Sequence, residues 1–284
     1  MKINKTKQKK NILENNQKEI IVGQQVNGEI LKNNTDVSIL YTNADQFLNK
    51  RDDLAMMIVE NKPDIILITE VIPKSQSNPI NPSLLSLDGY NYHLNFNLED
   101  EDLGKSGIRG VIIYYKDSLV VNEVMLDMID FKDHVWIEVM GKSSSLLLGC
   151  IYRSPSDEST KSLIDSVKTV SSLIEKATNI NKNLVIAGDF NLKDINWNYD
   201  HSLVDKDYIK SFIRTLHDNY LTQHITEPTR YRVNQESNIL DLVISSKEEM
   251  IQDIQYLPPL GNSDHICLRF SASFERALPF TKNS

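Results

Sequence analysis

The stretch Leu184-Val185-Ile186-Ala187-Gly188-Asp189-Phe190-Asn191 combines a buried-strand signature with groups that could do chemistry. Four small or β-branched apolar residues read as a buried strand. Gly188 then allows a bend, and a carboxylate and an amide follow two residues apart. If the chain stays extended, Asp189 and Asn191 share one face while Phe190 turns into the core. Such a rigid polar pair suits a phosphate, a metal ion or an attacking water. Gly, Asp and Asn equally suit an ordinary strand-to-turn exit, so Gly-Asp-Phe-Asn alone leaves both readings open.

Other apolar runs end in, or enclose, polar groups of a matching kind. Ile65-Ile66-Leu67-Ile68-Thr69 delivers Glu70 to a sheet edge, and a hard divalent cation wants one or two such carboxylates. Asp241 lies inside Ile239-Leu240-Asp241-Leu242-Val243-Ile244, where an unpaired buried charge costs several kcal/mol. It needs a cation, a histidine or backbone donors, unless alternation turns it to solvent on an edge strand. Gly261-Asn262-Ser263-Asp264-His265 offers a partner: a carboxylate on one ring nitrogen would fix the tautomer of His265. Asn43 closes the first apolar run. Tyr152 and Arg153 close Leu146-Leu147-Leu148-Gly149-Cys150-Ile151, where hydroxyl and guanidinium suit either phosphate or packing.

The elements that must position these groups follow from periodicity and punctuation. Strands are expected at 37–43, 64–69, 90–96, 110–115, 119–126, 135–139, 146–152, 184–189, 221–225, 238–244, 254–257 and 266–270. A helix is expected over 46–60 with Asp45 as its cap and Leu54, Met57 and Ile58 on one face. A second, over 159–178, carries Leu163, Ile164, Val167, Val170, Leu173 and Ile174 as a stripe. A third spans about 205–219 and buries Ile209, Phe212, Ile213 and Leu216. Glu99-Asp100-Glu101-Asp102 reads as a solvated turn. Many strands and few helices predict an α/β fold, two mixed sheets packed as a sandwich with helices on the outer faces.

The 284 residues carry a net charge of −8. Seven lysines and three acidic residues fall in residues 1–32, leaving 24 basic against 36 acidic residues in the remainder. That argues against a surface holding nucleic acid by bulk charge alone, but not against an acidic metal site with a local basic rim. Cys150 and Cys267, both in apolar runs, are expected as buried free thiols. No apolar stretch has membrane-spanning or secretory character, which predicts a soluble intracellular protein. Residues 1–35 read as a mobile basic leader, either a solvated tail or a DNA-contacting or nuclear-targeting arm. Residues 36–272 form the folded domain and 273–284 a tail.

Asn43, Glu70, Tyr152, Gly188-Asp189-Phe190-Asn191, Asp241 and Ser263-Asp264-His265 occur in the order found in the endonuclease/exonuclease/phosphatase superfamily, and the chain resembles that group. The wider wording is most similar to the apurinic/apyrimidinic-type endonuclease domain of non-LTR (LINE-type) retrotransposons. Tyr41-Thr42-Asn43-Ala44-Asp45, Ile68-Thr69-Glu70, Arg109-Gly110-Val111, Ile151-Tyr152-Arg153-Ser154-Pro155, Glu227-Pro228-Thr229-Arg230 and Leu240-Asp241-Leu242 carry this likeness over about residues 37–271.

The resemblance implies a four-layer, DNase I-like sandwich that binds Mg²⁺ (or Mn²⁺) and nicks DNA to leave a 3′-hydroxyl. Glu70 would hold the metal with Asn43 beside it, and Asp264 would offer a second metal position. Asp189 would orient or deprotonate the water, and Asn191 would steady the transition state. Tyr152 and His265 would contact the scissile phosphate, with Asp241 holding His265. Thr229 would approach the DNA backbone, and Arg109, Arg153 and Arg230 would contribute to a basic rim with Lys193 and Arg232. The implied partners are DNA, in the nucleus, and a reverse transcriptase domain outside this chain. A phosphoester phosphatase of the same superfamily, acting for instance on a phosphoinositide, and a decayed DNA-binding copy are the alternatives.

Overall fold

The computed structural model describes residues 36–101, 103–105, 107–126, 131–141, 144–155, 160–197 and 206–274. The basic leader and all but two residues of the tail lie outside them, as does Asp102 of the acidic turn.

Among the described residues twelve strands form two six-stranded sheets. The first contains β1 (Asp36–Asn43), β2 (Ile65–Thr69), β3 (Tyr90–Leu94), β4 (Val111–Lys116), β11 (Ile251–Leu257) and β12 (Cys267–Ser273), in the order β11-β12-β1-β2-β4-β3. The second contains β5 (Val121–Glu123), β6 (His134–Met140), β7 (Ser145–Tyr152), β8 (Leu184–Asp189), β9 (Thr222–Gln223) and β10 (Asp241–Ser245), in the order β5-β6-β7-β8-β10-β9. Each sheet holds one parallel pair, β1 with β2 and β7 with β8, among antiparallel neighbours. A parallel pair needs a crossover, and helices supply both: α1 (Arg51–Asn61) and α2 (Thr160–Ile180). The third helix, α3 (Asp207–Asp218), lies beside α2.

Alternation along the strands sorts the side chains into three apolar layers. Ile39, Tyr41, Leu67, Ile113, Leu148, Ala187, Val243 and Phe270 face one another between the sheets. Leu54 of α1 packs with Leu40, Ile66, Ile68 and Tyr114 outside the first sheet. Val167, Leu173, Ile174, Ile209 and Phe212 cover Trp136, Leu147, Ile186 and Ile244 outside the second. The result is the expected four-layer α/β sandwich. Both cysteines are buried and free.

Three local expectations are corrected. Asp45 does not cap α1: Asp45 and Gln46 adopt left-handed backbone, φ 39° and 76°, and a short 3-10 turn precedes the helix. Lys50 instead donates to the carbonyls of Ala44 and Asp45 at 2.6 and 2.9 Å, holding that turn against β1. The strands expected over 119–126 and 221–225 shrink to Val121–Glu123 and Thr222–Gln223, because each sits at a sheet edge where pairing ends. Gly188 is needed for space rather than for a bend. A Cβ there would collide with the Ile151 carbonyl oxygen of the adjacent β7.

Candidate active site

Strand register, before any side-chain contact, lines up the polar groups. In the second sheet Tyr152 pairs with Asp189, and Asp189 with Asp241, so three site residues form one row across β7, β8 and β10. In the first sheet Asn43 pairs with Thr69. All lie on the inter-sheet face at the same end of the sandwich, where the two rows confront each other.

Asn43 joins the sheets. Its Nδ2 donates to Glu70 Oε1 at 3.1 Å and to Asp189 Oδ2 at 2.9 Å, and its Oδ1 accepts the Asp45 backbone N–H at 3.0 Å. Opposite, Asp241 accepts from His265 Nδ1 at 2.7 Å through Oδ2 and from the Tyr41 hydroxyl at 2.7 Å through Oδ1. His265 Nε2 lies 4.0 Å from Asp189 Oδ2 and 3.8 Å from Asp264 Oδ1. Asp241 is fully buried, so the solvent-facing edge-strand reading is excluded. Tyr152, almost fully buried, lies beside Glu70 and Asp189.

These contacts set the charges. Burial raises the Asp189 carboxyl well above the ordinary carboxylate range, and neighbouring Asp241 adds to the rise against the pull of His265. Burial alone would lower the pKa of His265, but Asp241, Asp189 and Asp264 outweigh it and push it up to about 10. The imidazole is therefore a cation at neutral pH. Burial, then the Glu70 and Asp189 charges, raise the Tyr152 phenol, which stays a donor.

Ligand atoms of Asp189, Asp241 and His265 all lie within 4.8 Å of one another. A cation there would need His265 neutral, whereas the carboxylates around that ring favour its protonated form. Glu70 fits better. It is the partly buried carboxylate at the mouth, and its Oε1 keeps a second acceptor position beyond its bond to Asn43 while Oε2 takes both bonds from Arg109. With Asp45 nearby it makes a hard oxygen set of the kind Mg²⁺ or Mn²⁺ takes. Glu70 and Asn191 also carry left-handed backbone, φ 53° and 49°. Such strain, about 1–3 kcal/mol each, persists where surrounding contacts over-determine it.

A cavity of about 1090 Å³ opens over this cluster. Lys74, Lys193, Arg230 and Arg232 line it alongside Asp45, Asp264 and Glu236, so its wall is mixed in charge rather than uniformly basic. Arg230 sits on the lip and donates to Asp264 Oδ2 at 3.0 Å.

The remaining expected site residues turn inward. Arg109 Nη2 and Nε donate to Glu70 Oε2 at 2.5 and 3.2 Å, and Nη1 is buried without a partner among the described residues. Arg153, 2% exposed, donates to the carbonyls of Phe190 and Asn191 and to Ser166 Oγ. It brackets the loop after β8 and forms no part of an exposed rim. Thr229 is fully buried, and its hydroxyl oxygen accepts the backbone N–H groups of Leu240 and Asp241 at 3.1 and 3.0 Å, away from any approaching strand. Asn191 is not extended: its backbone N–H folds back to Asp189 Oδ1 at 3.0 Å, and its Nδ2 donates to the Arg153 carbonyl at 2.9 Å. Tyr41 and Asp45 are the residues that sequence reasoning missed as part of the site. The signal for Tyr41 was a hydroxyl two positions before Asn43, on the same strand face.

Two sheets closed by outer helices, with an acid-, amide- and histidine-lined cleft at one end, define the DNase I-like class. The chain is similar to the endonuclease/exonuclease/phosphatase superfamily, one of whose family models matches part of it. Residues 146–269 match the family model described as "Endonuclease-reverse transcriptase". No curated protein matches the chain in sequence. Among solved structures it is similar to the endonuclease domain of TRAS1, a telomere-specific non-LTR retrotransposon (16% identity, 85% of this chain and all of that one, TM-score 0.58). It is similar also to the AP endonuclease LMAP from Leishmania major (12%, 88% and 91%, 0.66). A third is the 3′ phosphatase NExo from Neisseria bound to product DNA hairpin (15%, 84% and 99%, 0.62). No described helix is long and apolar enough to cross a membrane.

Proposed function

We propose that this chain is a divalent-metal-dependent phosphodiester hydrolase that nicks DNA and leaves a 3′-hydroxyl. One observation carries the reading: a single amide, that of Asn43, fixes Glu70 and Asp189 together while the Asp241–His265 pair faces them across the same cleft. Held by Glu70, with Asn43 and Asp45 beside it, Mg²⁺ or Mn²⁺ would polarise the phosphoryl group and offset developing charge. Asp189, its proton affinity raised by burial, accepts a proton from the attacking water. Cationic His265 donates from Nε2 to a non-bridging oxygen, and Asp241 keeps the ring in that orientation. Tyr152 and the second amide proton of Asn191 contact the same phosphate. Asp264, tied to Arg230, would lie near the departing oxygen and is the candidate for a second metal position.

The family model's description, which joins an endonuclease to a reverse transcriptase, supports a retrotransposon setting, as does the likeness to TRAS1. There the 3′-hydroxyl would prime reverse transcription in the nucleus, by a polymerase domain outside this chain. Supercoiled plasmid with Mg²⁺ is the test. Open circles with Mg²⁺, none with EDTA, and a loss of about 10³-fold or more in Asp189→Asn and His265→Ala are expected. Plasmid left supercoiled in every arm overturns the proposal, and phosphate release from a monoester in its place identifies a phosphatase. DNA binding without metal or cleavage identifies a decayed copy.

A further inference from the structure

We infer that Tyr41 is a positioning residue of this site, acting through Asp241 on His265. Its consequence for turnover rests on the hydrolase reading above; its placement rests on geometry alone. Tyr41 is fully buried on β1, in the first sheet, yet its hydroxyl lies 2.7 Å from Asp241 Oδ1 in the second. The same oxygen is 3.2 Å from Thr69 Oγ1, one residue before Glu70. A phenol has one proton, and a carboxylate only accepts. The proton therefore goes to Asp241, and Thr69 donates to the Tyr41 oxygen. A directed chain results, from Thr69 to Tyr41 to Asp241, which His265 Nδ1 meets from the other side at 2.7 Å.

The plane of a carboxylate is set by a broad, two-fold torsion that packing alone holds poorly. Two bonds hold the Asp241 carboxylate, Tyr41 on Oδ1 and His265 on Oδ2, and a third partner, Thr229, fixes its backbone N–H. Two of the three donors or acceptors, Tyr41 and His265, belong to chain that joins the first sheet, so the bond from Tyr41 ties the sheets together where the site straddles them. Remove the hydroxyl and the carboxylate turns about its remaining bond. The imidazole then loses its fixed aim at the space between Asp189 and Asp264. Partners one layer behind reacting groups commonly change activity by about 10–100-fold.

Tyr41→Phe keeps the ring and deletes the hydroxyl. The expected result is a kcat for plasmid nicking lowered at least tenfold, with KM within about twofold of the parent because Tyr41 itself touches no substrate and the His265 contact it aims counts most in the transition state. In a His265→Ala background the same change adds no further loss, since the group it acts through is gone. A third readout needs no turnover: in ¹⁵N-histidine-labelled protein, the downfield Nδ1 proton of His265 shifts or broadens in Tyr41→Phe. Should Tyr41→Phe fail to fold, Thr69→Val removes the donor behind Tyr41 and carries the same signature at smaller amplitude. An unchanged kcat, an equal loss in both backgrounds or an unchanged Nδ1 proton overturns the inference. A parent protein that cuts nothing overturns the hydrolase reading, and the proton resonance still decides the role of Tyr41.

Discussion

The side-chain amide of Asn43 reaches Asp189 Oδ2 at 2.9 Å from a strand in the opposite sheet while also holding Glu70 Oε1 at 3.1 Å. Two carboxylates this close repel, and the shared donor keeps them in place. Asn43→Ala is expected to lower the nicking rate about 10²–10³-fold, the usual effect of deleting one preorganised donor. Asn43→Asp, which adds a third carboxylate, should lose more. Single-turnover rates at saturating Mg²⁺ check both.

Arg109 competes with any cation for Glu70, its Nη2 lying 2.5 Å from Oε2. Removing that positive charge strengthens attraction for a divalent ion. Arg109→Gln should therefore lower the Mg²⁺ concentration needed for half-maximal effect by about tenfold. Both the Mg²⁺ dependence of nicking and the Mg²⁺-dependent rise in melting temperature report it. A higher Mg²⁺ requirement would instead give Arg109 a role in building the site.

Thr229 serves the backbone of β10 rather than a ligand. Thr229→Val leaves two buried N–H groups, those of Leu240 and Asp241, without their acceptor, at about 1–3 kcal/mol. For a domain of this size each kcal/mol lowers the melting temperature by about 2–4 °C. The salt dependence of DNA binding should not change, whereas Arg230→Ala on the lip should reduce its slope by about one.

Gly188 tests the approach of β7 to β8. An added methyl must displace backbone rather than a flexible side chain, since it would meet the Ile151 carbonyl. Gly188→Ala should cost about 1–3 kcal/mol and shift neighbouring Asp189. Lower thermal stability together with slower nicking is the expected pair of results.

His134 makes stability depend on pH. Burial pushes its pKa down to about 4, and Trp136 Nε1 donates to its Nδ1 at 3.1 Å, which requires a neutral acceptor. Unfolded, the ring takes a proton near pH 6.5. The folded state therefore holds its full advantage above 6.5 and loses it as pH falls toward 4. Denaturant midpoints at pH 7.5 and 4.5 should differ less in His134→Gln than in the parent.

Much of the site was legible because its chemistry is written into strand ends. An apolar run closing on Asp189, another on Glu70, and a carboxylate enclosed at Asp241 each signal a polar group that must find a partner. Residues whose partners come from loops were misread. Arg153 and Thr229 look like ligand-facing groups, but loop carbonyls and amides left unpaired by the strands recruit them. Asp45 has the composition of a helix cap, yet the Lys50 ammonium holds its backbone in a left-handed turn. Tyr41 looks like any core aromatic until a carboxylate 200 residues away is placed against it.

The order of elements, the inward face of each strand and the identity of the polar residues at their ends are fixed locally, by alternation and by the free energy of burying apolar surface. Which end of the second sheet meets which end of the first depends on contacts between residues far apart in the chain. Only packing the sheets face to face brings Asn43 to Asp189 and Tyr41 to Asp241. Those two bonds turn separate strand ends into one site.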